Sequence, residues 1–122
     1  MIRFHRLLAA ALVVASASVA AEDRRYDPKA LARYDVSYGR CEASFADMKG
    51  HRDDAYMNLW RIKPGPKPAA RLAEIRSGAA YKAEHREAAR QAAARAVEPE
   101  ATKTLQRQCR GLWGEMAHQP AR

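Results

Sequence analysis

The segment DPKALARYDVSYGRCEASFADM, residues 27–48, places Leu31, Tyr34, Tyr38, Cys41, Phe45 and Met48 at successive steps of 3, 4, 3, 4 and 3. That spacing returns to one side of a 3.6-residue helix at every turn, so the six side chains form a single stripe that needs a partner surface. Asp27 ahead of Pro28 supplies the start, because a carboxylate caps the free N–H groups and a proline in the first helical position loses no hydrogen bond. Lys49-Gly50 supplies the stop. Gly39, inside this helix, costs about 1 kcal/mol relative to alanine and marks either a close crossing or a slight bend.

The same period extends outward. A shorter helix is predicted from Arg52 to Ile62, with Asp53 and Asp54 in its positive first turn and Tyr56, Leu59, Trp60 and Ile62 as its apolar content. Pro64-Gly65-Pro66-Lys67-Pro68 then predicts an extended or turning connection, either a stiff linker or a surface loop that presents backbone to a partner. Leu72, Ile75 and Ala79 resume the helix period, Ser77-Gly78 interrupts or kinks it, and an alanine-rich stretch runs on to Val97. Pro99 opens a last helix in which Leu105, Cys109, Leu112, Trp113 and Met116 share a face. Tyr34, Tyr38, Phe45, Trp60 and Trp113 read as core by position. With no strand alternation and no internal repeat, the expected fold is all-α: an up-and-down bundle of about four helices, its first and last helices neighbours.

The N-terminus reads differently. Arg3 and Arg6, an uncharged apolar run from Leu7 to Ala20, and small residues at Ser18-Val19-Ala20-Ala21 form a signal-peptide pattern. The apolar run is too short for a membrane span, and no later segment offers one. The expected organisation is therefore a signal peptide over 1–21 and one helical domain over 22–122, located in the periplasm or secreted. Losing Arg3 and Arg6 from 22 basic residues against 14 acidic ones takes the charge from +8 to +6, which favours anionic neighbours. Cys41 and Cys109 are the only cysteines, each on an apolar stripe, and an exported chain predicts that they pair. No CxxC motif supports a redox or metal role for them.

Catalytic and metal patterns are sparse. Ser37, Ser44 and Ser77 lie in no GxSxG setting, and His51, His85 and His118 are scattered. Glu115 and His118 make one Glu-x-x-His step, but a di-metal bundle needs a second copy. Glu84, His85 and Glu87 lack HExxH spacing. The sequence thus predicts no enzyme, no catalytic or metal-binding residues and no cofactor. Two basic rows remain, Lys82, Arg86 and Arg90 on one helix and Lys103, Arg107 and Arg110 on the next, each along one helix side. Side by side, they would form a patch for an acidic protein surface or phosphates. Nucleic acid is not an expected partner outside the cytoplasm.

Arg40-Cys41 in an early helix, with Cys109 and Leu112-Trp113 in the last, resembles the exported immunity proteins that protect bacteria from type VI secretion peptidoglycan amidases. The resemblance covers roughly residues 38 to 116. It implies a small helical inhibitor that binds a cell-wall amidase and blocks its active site. The expected function is therefore a non-enzymatic binding module that docks to another envelope protein. The alternative is a basic protein associating electrostatically with anionic cell-surface polymers such as lipopolysaccharide or teichoic acid.

Overall fold

Asp27 and Pro28 start the first helix as their chemistry predicts: the Asp27 carboxylate accepts from the Lys29 N–H at 3.3 Å, and Pro28 is the first helical residue. The computed structural model describes residues 23–118, so the signal peptide expected over 1–21 lies outside the described residues. Five helices follow one another: α1 Pro28–Ser44, α2 Arg52–Leu59, α3 Pro66–Ser77, α4 Ala79–Arg95 and α5 Ala101–His118. The fold is all-α, and α1 is its central element, packed by each of the other four. None of the described helices is long and apolar enough to cross a membrane.

Three boundaries differ from the sequence expectation for a clear local reason, and α5 opens at Ala101, two residues after the Pro99 expected to start it. The first helix ends at Ser44 rather than Met48, because Phe45 turns extended and a 3-10 turn, Ala46–Met48, follows. Tyr38 holds that turn by donating its hydroxyl to the Met48 carbonyl at 2.7 Å. The second helix ends at Leu59 rather than Ile62. Arg61 adopts a left-handed φ of 54°, and N–H groups of Ile62 and Arg61 bond back to the carbonyls of Met57 and Asn58 at 2.7 and 3.1 Å. This paired closure satisfies the end of the helix and drops Ile62 into the core.

The proline-rich segment is the third correction. Pro66 and Pro68 stand in the first turn of α3, where a missing N–H breaks no helical bond, and only Pro64-Gly65 remains as connection. Gly78 then ends α3 and caps α4, its ψ of 155° breaking what the sequence offered as one interrupted helix into two. Among the described residues the bundle accordingly has five α-helices where about four were expected.

The core forms two clusters. Leu31, Ala32, Tyr56, Met57, Ile62, Leu72 and Tyr81 fill one end. Tyr38, Cys41, Met48, Ala55 and Cys109 fill the other, with Phe45, Leu105, Leu112 and Trp113 half-buried around them. Tyr34 packs against both. Cys41 and Cys109 form the expected disulfide, with Cα atoms 5.5 Å apart, and so fasten α5 to α1.

Gly39 is exposed, and a Cβ built on it would meet nothing within 4 Å. It is not a close crossing, and α1 runs through it unbroken. Gly39→Ala should therefore stabilise the fold by up to about 1 kcal/mol through helix propensity alone. A urea melt at neutral pH checks this, and a lowered midpoint would show a constraint at that position.

Candidate functional site

The most concentrated polar chemistry lies midway along α1, where Asp35 interrupts the apolar side between Ala32 and Tyr38. Its side chain is only 2% exposed. Arg76 of α3 clamps it in a two-pronged contact, Nε to Oδ2 at 2.8 Å and Nη2 to Oδ1 at 3.0 Å. The same guanidinium holds Asp53 of α2, with Nη2 to Oδ1 at 2.7 Å and Nη1 to Oδ2 at 3.1 Å. Arg52 donates to Asp53 at 3.0 Å, and Tyr81 of α4 donates its hydroxyl to Asp35. Two carboxylates and two guanidiniums thus neutralise one another, and four helices meet at one point.

The electrostatics follow from this pairing. Burial by itself would raise the Asp53 carboxyl, but hydrogen bonds from Arg76 and Arg52 outweigh it and hold the group below the usual aspartate range. Burial opposes the charge on Arg76, yet its bonds to Asp35 and Asp53 raise it further. Every buried side-chain nitrogen and oxygen among the described residues has a partner. An arrangement in which every buried polar atom has a partner is suited to holding helices in place.

Four tyrosines share a second pattern. Burial pushes Tyr38, Tyr56 and Tyr81 up to about 12, and Tyr34 further in the same direction. Tyr34 and Tyr56 donate to the carbonyls of Arg52 and Arg25, so these hydroxyls pin connecting backbone to the core. The native state therefore retains phenolic protons that an unfolded chain releases near pH 10. The resulting stability is complete below that pH and is lost as pH rises from about 10 through 12. For Asp53 the sign reverses: its contribution is present above about pH 4 and fades as pH falls. A denaturation series across pH, paired with a phenolate absorbance titration, should show a plateau with both shoulders. Four tyrosines ionising together at the ordinary value would contradict the alkaline one.

The two basic rows predicted from sequence are surface features. Lys82, Arg86 and Arg90 are exposed on α4, and Lys103, Arg107 and Arg110 on α5. Arg90 is taken up by Glu87, whose carboxyl its hydrogen bonds hold low. Arg107 makes a long contact to the Thr104 hydroxyl at 3.4 Å, and Arg110 lies 5.8 Å over the Phe45 ring. Both helices pack chiefly on elements other than each other, α4 along α1 and α5 against α1 and α2. Each row sits about half a turn round from its helix's packed face. The rows look outward from their own helices instead of facing a shared groove.

Other sequence candidates stay apart. Glu115 is exposed at the end of α5, and no group of three or more histidine, cysteine, aspartate or glutamate side chains capable of holding a metal occurs among the described residues. His51 rests against Trp113 with ring centroids 5.5 Å apart, and His85 against Tyr81 at 5.6 Å. The Asp35 cluster was not among the sequence candidates. Its one signal was a carboxylate four residues after Leu31 and three before Tyr38, on the side that must be buried. Comparison with family models, with curated proteins and with solved structures returns no match to this chain.

Proposed function

We propose that this chain is a non-enzymatic binding module of the bacterial envelope that docks onto another envelope protein. The observation that carries this reading is the division of its charge. The interior charges are consumed by one another around Asp35, while Lys82, Arg86, Lys103, Arg107 and Arg110 stand exposed with no carboxylate within ion-pair distance among the described residues. A frame fastened by a disulfide and by Arg76 holds the backbone of those faces in place, so that side-chain freedom is the main conformational cost of binding. The finer version is inhibition of a cell-wall amidase, as the resemblance to immunity proteins implies, with the rigid domain occluding the partner's active site.

A second reading, association with anionic surface polymers, is favoured by the same unpaired cations. Salt separates the two, because contacts made by exposed charge weaken steeply with ionic strength while a desolvated protein interface persists. The test is capture from a periplasmic extract on the immobilised oxidised protein, with low-salt and high-salt washes, run beside a Lys103→Ala/Arg107→Ala/Arg110→Ala variant. One protein held by the wild type through high salt and lost by the variant supports docking. Material released entirely by salt supports the polymer reading and removes the inhibitor. Equal retention by both chains removes the α5 row from the interface.

A further inference from the structure

A cleft of about 360 Å³ runs between α1, α4 and α5, and its chemistry differs from that of the outward rows. Arg33 and Arg40 of α1, seven residues apart on one helix side, and Arg95 in the last turn of α4 line it together with Ser37, Gln91 and Gln108. No carboxylate and no aromatic ring is among the lining residues. Arg33 is partly engaged, donating to the Lys29 carbonyl at 3.2 Å and lying 3.5 Å from Glu84. Arg40 and Arg95 have no carboxylate within ion-pair distance among the described residues. Glu87 lies close by, accepting from Gln91 Nε2 at 3.1 Å, but Arg90 already neutralises it.

We propose that this cleft binds a phosphate ester of a small polyol or sugar. Three arginines line one cleft and only Arg33 has a carboxylate neighbour among the described residues, so Arg40 and Arg95 are left to a ligand; they suit a phosphate, whose several oxygens accept from planar donor forks. Gln91 has its amide nitrogen occupied by Glu87, which leaves its carbonyl oxygen to accept from a hydroxyl. Ser37 and Gln108 offer both donor and acceptor capacity to the same end. The lack of an aromatic platform disfavours a nucleobase, which binds mainly by stacking. The ligand is then a free polyol phosphate or the same group carried on a lipid headgroup. This inference does not rest on the docking reading, since the cleft lies on the opposite side of α4 from Lys82 and Arg86.

The test is calorimetric titration of the full chain, purified in oxidised form, with glycerol 3-phosphate, glycerol and glucuronate as probes. Saturable binding of glycerol 3-phosphate is expected, with glycerol and glucuronate each at least about tenfold weaker. Arg40→Gln/Arg95→Gln should weaken it by about a hundredfold, while Lys63→Gln/Lys67→Gln, which removes two exposed charges elsewhere, should leave it within about twofold. All four positions lie outside the buried core, and circular dichroism melts of each variant confirm folding. Sedimentation with phosphatidylglycerol vesicles assigns the source: loss in the Arg40/Arg95 variant alone marks a headgroup, and no association marks the free ester. Absence of saturable binding, equal binding of glucuronate, or equal weakening by the lysine variant would overturn the proposal. Failure of the capture experiment leaves this result untouched, and the reverse holds.

Discussion

Arg76→Met should destabilise the protein by about 3–5 kcal/mol, because it strands a buried carboxylate instead of removing a contact. Asp35 is 2% exposed on its side chain, and without Arg76 the nearest cation is Arg52, whose Nε lies 3.7 Å from Oδ1. Asp53 suffers less, being 35% exposed and still bonded to Arg52. The loss should therefore come mainly from Asp35, and a second substitution can show this. Adding Asp35→Asn to Arg76→Met removes the orphan charge while keeping an acceptor for the Tyr81 hydroxyl, and should recover part of the loss. A double-mutant cycle by urea denaturation at neutral pH measures the coupling. Single-variant losses below about 1 kcal/mol would mean that water reaches Asp35 and that the cluster is not the joint of the four helices.

The second large effect is expected at the disulfide. The bond closes 68 residues, for which loop-closure entropy gives about 4 kcal/mol. In a domain of this size that corresponds to a fall of roughly 20 °C in Tm for Cys41→Ala/Cys109→Ala. Much of the effect arises in the unfolded chain, which regains the freedom that the cross-link removed. The native state should respond unevenly as well. Beyond Cys109, α5 meets the body through half-buried Leu105, Leu112 and Trp113, so its amide protons should lose protection from exchange before those of α1. An unchanged Tm, in a wild-type chain shown by thiol assay to be oxidised, would contradict this role.

What was legible in the sequence was local or periodic. The Asp27-Pro28 start and the helical stripe from Leu31 to Cys41 follow from spacing and chemistry within a few turns, and the pairing of Cys41 with Cys109 from their being the only two cysteines in a chain read as exported; the structure bears out each as fold, with Phe45 and Met48 packing beyond the helix end. The prolines misled because the rule against them governs helix interiors, whereas Pro66 and Pro68 stand where N–H groups have no partner in any case. Gly78 could equally bend a helix or end one, and its extended ψ decides that from tertiary contacts. The Asp35 cluster stayed hidden because its members are spread from residue 35 to residue 81 on four helices, and only packing brings them together. The arginine cleft was missed for a related reason. Basic residues were grouped by spacing within a helix, which finds outward faces, while Arg33, Arg40 and Arg95 line one cleft from two helices.

The alanines of α4 give the position of Tyr81 a further meaning. Ala88 and Ala92, on the side of α4 toward α1, allow close approach but have little shape of their own, so contact there discriminates weakly between neighbouring alignments. One hydroxyl reaching Asp35 separates them, since any slide leaves that carboxylate short of a donor and Tyr81 without an acceptor. Tyr81 thus acts as an index pin for α4, seated in the apolar core and bonded to Asp35 at once, so that one residue fixes where the alanine surface comes to rest.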